Sequence, residues 1–139
     1  MMLFDMKKYL LDTDTCIYLI KNHPPSVVRF LKKMNPESIY ISTITVAELA
    51  YGAEKSERKI QNKIALTKFL LATKMVRFGP SEALVYGQIR AGLEAGGNVI
   101  GGMDMLIEAQ ALANGMVLVT NNLREFGRVR GLECESWVE

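Results

Sequence analysis

Short runs that are apolar throughout alternate along this chain with longer segments of helical pattern, and few folds accept that order. Tyr9–Asp12, Ser38–Ser42, Met75–Phe78 and Met116–Val119 read as strands, with Leu132–Trp137 a candidate edge strand. A strand with one wet face would alternate apolar and polar residues; continuous apolarity fits strands covered on both faces, as in parallel sheets. Helical patterns fill the intervals: Thr15–Asn22 and Ser26–Met34, broken by Pro24-Pro25, then Thr45–Lys55, Glu57–Ala72, Ser81–Ala95 and Asp104–Asn114. Ser81, just after Pro80, is placed as an N-cap, and Gly96-Gly97 and Gly115 as helix stops. The expectation is an α/β chain with a parallel sheet, folded as a single domain over residues 1–139, with no repeat or linker.

Composition narrows the function. A chain of 139 residues that is 49% apolar can bury a core without staples. Its net charge is only +2, so any nucleic-acid partner must be met by a local patch. Two cysteines, Cys16 and Cys134, make no disulfide framework, and with His23 they are too few for a structural zinc site. The single histidine excludes a two-histidine nuclease and makes a Ser/His/Asp hydrolase a poor fit. The N-terminus lacks a basic region followed by an unbroken apolar run, so no signal peptide is read. The longest uncharged stretch, Ala109 to Leu123, carries two glutamine or asparagine pairs' worth of polar groups (Gln110, Asn114, Asn121, Asn122) that a bilayer span would not tolerate. The expected location is cytoplasmic, with no membrane partner.

The carboxylates carry the functional signal. In open parallel sheets ligands bind beyond the carboxyl ends of the strands. Asp12 ends the first strand, Asp14 follows it, and Asn121 and Asn122 lie just past the fourth. A strand-end aspartate is also an ordinary helix cap, so these positions alone decide little. In Thr45–Ala53, however, Glu48 is the only charged residue, and in Met103–Ala113 only Asp104, Glu108 and Gln110 are polar. Both segments are apolar nearly all round and are expected to be buried. Neither contains a lysine or arginine to pair with its acids. A buried carboxylate needs a partner, and a divalent cation held by oxygen ligands, Mg²⁺ or Mn²⁺, would supply one.

Several stretches together resemble one family: Leu11-Asp12-Thr13, Ala47-Glu48-Leu49, Gly102–Asp104 with Leu106-Ile107, and Thr120-Asn121-Asn122 followed by Arg124-Glu125-Phe126. They are similar to the PIN-domain ribonucleases called VapC, the toxins of VapBC toxin–antitoxin pairs. The likeness runs from about Lys8 to Val138. It implies a Rossmann-like α/β/α sandwich and a Mg²⁺-dependent endoribonuclease that cleaves RNA, with tRNA suggested by closer relatives, and so inhibits translation until neutralised. It implies a cognate VapB-type antitoxin, a homodimer within a toxin–antitoxin hetero-oligomer, and promoter DNA bound only through the antitoxin. By motif Asp12, Glu48, Asp104 and Asn122 take the catalytic positions, with the metal on Asp12 and Asp104. Two residues depart from the pattern: Asp14 stands where the family usually has Asn, and Glu108 where it usually has a small residue. Asn122 replaces a fourth acid found in many PIN domains.

Parts of the sequence also fit other classes. Asp12-Thr13-Asp14 after an apolar strand also looks like the aspartate pair of haloacid-dehalogenase phosphatases, with Asp12 as nucleophile, but the downstream lysine and paired acids are missing. A non-catalytic binding partner would not need three intact acids. Arg124, Arg128 and Arg130 are candidates to hold flanking phosphates, or form a solvated basic turn. Lys55, Arg58, Lys59, Lys63 and Lys68 could track RNA or serve solubility. Gly96-Gly97 and Gly101-Gly102 lack the Gly-Lys-Ser/Thr ending of a phosphate loop.

Overall fold

The computed structural model describes residues 7–98 and 100–139, so the first part of the N-terminal stretch read above lies outside the described residues. The strands are β1 (Tyr9–Leu11), β2 (Ile39–Ser42), β3 (Lys74–Val76), β4 (Val117–Val119) and β5 (Cys134–Glu135). They form one sheet in the order β3-β2-β1-β4-β5, with every neighbouring pair parallel. Seven helices cover it: α1 (Thr13–Lys21), α2 (Pro25–Lys33), α3 (Thr43–Glu54), α4 (Lys59–Leu71), α5 (Pro80–Ala95), α6 (Gly102–Ala113) and α7 (Leu123–Phe126). From β1 the chain steps outward through β2 to β3, then returns across the sheet to β4 and β5. Its direction of travel therefore reverses at β1 and β4, and the crevice beyond their carboxyl ends is where this topology places a ligand site.

The central strands meet the expectation of burial on both faces. Leu10, Leu11, Ile41, Leu118 and Val119 are fully buried, with Leu11, Ile41 and Val119 turned toward α1 and Trp137, and Leu10 and Leu118 toward Ile107, Ala111 and Phe126 of the other layer. Trp137 is stacked 6.0 Å from Phe30, and the C-terminal segment closes over α2 through Glu139, whose amide donates to Ser26 at 3.1 Å. No helix among the described residues is long and apolar enough to cross a membrane.

Several boundaries differ from the sequence reading, each for a local reason. Helix α1 begins at Thr13, because Asp12 already caps it by accepting from the Thr15 amide at 2.8 Å. Helix α3 begins at Thr43, capped by the Ser42 hydroxyl at 3.0 Å. At α5, Ser81 is not the cap. Pro80 occupies the first turn, and Glu82 reaches back to the Gly79 amide at 3.0 Å. Strand β3 ends at Val76 since the Gln110 amide takes the Val76 and Arg77 carbonyls, at 3.2 and 2.9 Å, away from further pairing. It is an edge strand with Lys74 and Met75 exposed, not covered on both faces. The edge strand β5 is limited to two residues, and α7 was not anticipated.

Candidate active site

Four elements converge on the crevice. At the end of β1, Asp12 is 6% exposed, and its amide donates to the Val119 carbonyl of β4 at 3.0 Å. Burial raises its carboxyl above the usual aspartate range. Hydrogen bonds from the Thr120 hydroxyl and from the amide and hydroxyl of Thr15 pull it back, and the nearby charge of Asp14 pushes it up again. Capping and a place in the crevice are thus compatible roles for one side chain.

Glu48 comes from the second turn of α3 and accepts a hydrogen bond from the Thr13 hydroxyl, which also lies 3.4 Å from that of Thr45. Helix α3 is not buried all round: Ala47, Ala50 and Tyr51 are exposed, and Thr45, Leu49 and Ala53 face inward. Helix α6 does fill the interior along Met105, Ile107, Ala109 and Ala111. Asp104 lies in its first turn, where the helix dipole favours an acid. Its carboxyl is nevertheless raised to about 6, chiefly by desolvation and then by the charges of Glu125, Glu48, Asp12 and Asp14. One aspartate therefore senses four other acids, and no arginine or lysine is among the charges bearing on it.

One turn on, Glu108 has no exposed surface, and neither carboxyl oxygen has a hydrogen-bond partner. Burial, Asp104 and Glu125 raise it to about 8. Beyond β4, the Asn122 amide donates to Glu125 at 2.6 Å, whereas Asn121 is turned away toward the Tyr18 hydroxyl at 3.0 Å. Asp12, Glu48 and Asp104 thus share one crevice, with Asn122 at its rim holding Glu125. Glu125 is not legible as a site residue from the sequence: a single acid in a polar turn carries no burial or spacing signal, and only its place after the Asn pair marks it.

Whether these residues suit a divalent cation can be judged on their chemistry. All the donors are oxygens, the acids repel one another, and two buried oxygens of Glu108 lack any partner. Each of those features is relieved by a hard cation. Among the described residues no three such side chains are already drawn close enough to grip one ion.

The arrangement matches a known family. The sequence fits the profile described as PIN domain over residues 9–132. It is also 44% identical over 134 residues to Ribonuclease VapC2 of Haemophilus influenzae, covering 96% of this chain and 100% of the relative. The chain belongs to the VapC ribonucleases of the PIN-domain family. It is 41% identical to the tRNA(fMet)-specific endonuclease VapC of Shigella flexneri, with 95% and 99% coverage. The fold of the DNA-bound VapBC complex from Salmonella typhimurium superposes with a TM-score of 0.89 at 41% identity, over 96% of this chain and all of that one. PIN-domain nucleases generally depend on a divalent metal. Membership sets aside both alternatives, the dehalogenase-type phosphatase and the non-catalytic partner. Asp12 in this PIN domain is an acid among acids, without the lysine a phosphatase nucleophile would require.

Proposed function

We propose that this chain is the toxin of a toxin–antitoxin pair, an endoribonuclease that cuts RNA of the tRNA class at the crevice of Asp12, Glu48, Asp104 and Asn122. The observation that carries the reading is the set of four acids bearing on the half-buried Asp104, which has no basic partner. Asp12 and Asp104 would hold Mg²⁺, which Mn²⁺ could replace. A bound divalent ion supplies an acidified water and neutralises charge on the scissile phosphate.

The protein's own residues do the rest. Thr15 and Thr120 fix the Asp12 carboxylate in one orientation. The Thr13 hydroxyl holds Glu48 at the crevice wall, where it can accept the proton of the attacking water. Asn122 holds Glu125 by a hydrogen bond, and the charge of Glu125 bears on Asp104.

A protein partner is supported by apolar groups that the fold leaves uncovered on α3 and α4: Tyr51, Ile60, Ile64 and Leu71 are each more than half exposed. The relatives solved as VapBC complexes, including that bound to DNA, make a VapB-type antitoxin the proposed occupant, with DNA reached through it, a homodimer within the assembly, and a cytoplasmic site of action. Cleavage of RNA by the purified protein is the test. It should vanish in EDTA and return with Mg²⁺ or Mn²⁺; undiminished cutting in EDTA, with contaminating nuclease excluded, contradicts the metal-dependent reading.

A further inference from the structure

A cavity of about 570 Å³ lies between α5, Leu112 of α6 and the turn that follows α7. Its floor is apolar, built from Ile89, Leu93 and Val129, which belong to one buried cluster. Arg128 and Arg130 stand on one wall, with Gln88 and Asn98 supplying amide groups on others. Among the described residues neither arginine forms a salt bridge or a side-chain hydrogen bond; the ion pairs all engage other cations, and Glu94 on the same helix is taken by Arg90 at 3.0 Å. Along the chain, both walls lead to elements of the crevice. Asn98 lies in the connection that leads to Asp104, and Arg128 follows α7, whose start carries Asn122 and Glu125.

We propose that this cavity is a nucleotide subsite, which binds the phosphate and base of one residue of the substrate RNA. The inference rests on the ribonuclease reading above and extends it to how the RNA is held. Five acids make the crevice itself repellent to a polyanion, and the whole chain carries only +2, so attraction must come from a local patch. Two unpaired guanidiniums match a phosphate in charge and in fork geometry. The apolar floor offers a surface for a base face and the two amides can read a base edge, the combination by which unpaired RNA is recognised. An acidic protein segment would match the guanidiniums but would make no use of the apolar floor.

Two kinds of variant test it. Arg128→Gln with Arg130→Gln removes the charge. Gly92→Leu fills the cavity while keeping both arginines, because a side chain there meets nothing within 4 Å at its first carbon. Cleavage should show KM raised tenfold or more and kcat within about twofold for both. In an Asp104→Asn background, RNA binding followed by fluorescence anisotropy should weaken, and for the arginine pair the slope of log K against log salt should fall by about 1.4, the value for two contacts to single-stranded RNA. With Asp104 kept, the Mg²⁺-induced rise in melting temperature should be the same in these variants as in the parent. A parent that cuts RNA while both variants keep its KM overturns the subsite alone, as does loss of antitoxin binding with RNA affinity intact. A parent that cuts no RNA overturns the ribonuclease reading with it.

Discussion

Glu108 shows how one residue can set the pH behaviour of the site. Its carboxyl binds a proton more tightly folded, at about 8, than unfolded, near 4.5. Stability of the metal-free protein from this group is therefore full below about pH 4.5 and is lost as pH rises through about 8. Asp104, raised from 3.8 to about 6, adds a loss in the lower part of the same window. Glu108→Leu should accordingly melt above the parent at pH 9, by the equivalent of roughly 2–4 kcal/mol, with the gap narrowing by pH 5. A gap that stays constant across that range would mean that Glu108 has a partner in its charged form.

Among the elements, α6 is the one whose placement matters most, because it carries Asp104 and Glu108 into the crevice. Its far end is tied down by Asn114, which donates to Glu82 at 2.7 Å and to the Gln110 carbonyl at 2.8 Å, while Glu82 also accepts from Gly79 and from Ser81 at 3.1 Å. Asn114→Ala should cost about 1–2 kcal/mol, read by denaturant unfolding, since it strips a donor from a charged group at a partly exposed site. The elements also divide by how well the sequence announced them. The central strands and α6 were legible because burial on all sides leaves a run with almost no polar residue. Helix α7 was not, since four residues give no period to read, and its acid Glu125 was missed with it. The start of α5 was placed at Ser81 because the sequence shows a cap residue but not that Glu82 folds back onto Gly79. The lysines of α4 turn out to be solvated and locally paired, Lys59 and Lys63 both reaching Glu54, at 3.0 and 2.7 Å. The meeting of Asp12, Glu48 and Asp104 was legible only through their motifs, as they come from three separate elements and nothing local in the chain brings them together.

At the scale of the whole molecule, charge is sorted by place: acids line the crevice, Arg128 and Arg130, unpaired among the described residues, line a separate cavity, and an apolar face on α3 and α4 remains uncovered. The central claim is that the acids are gathered for a cation and its chemistry, not for internal ion pairs. Asp104→Asn tests it most directly, because it removes one of several mutually repelling charges and keeps the side-chain shape. Melting curves of parent and variant, with and without Mg²⁺, together with RNA cleavage, supply the measurement. The account predicts that cleavage is abolished, that metal-free stability is unchanged or slightly raised, and that Mg²⁺ stabilises the parent far more than the variant. A variant that loses about 3–5 kcal/mol without metal, as the breaking of a buried ion pair would cause, and that still cuts RNA once corrected for its folded fraction, would contradict it.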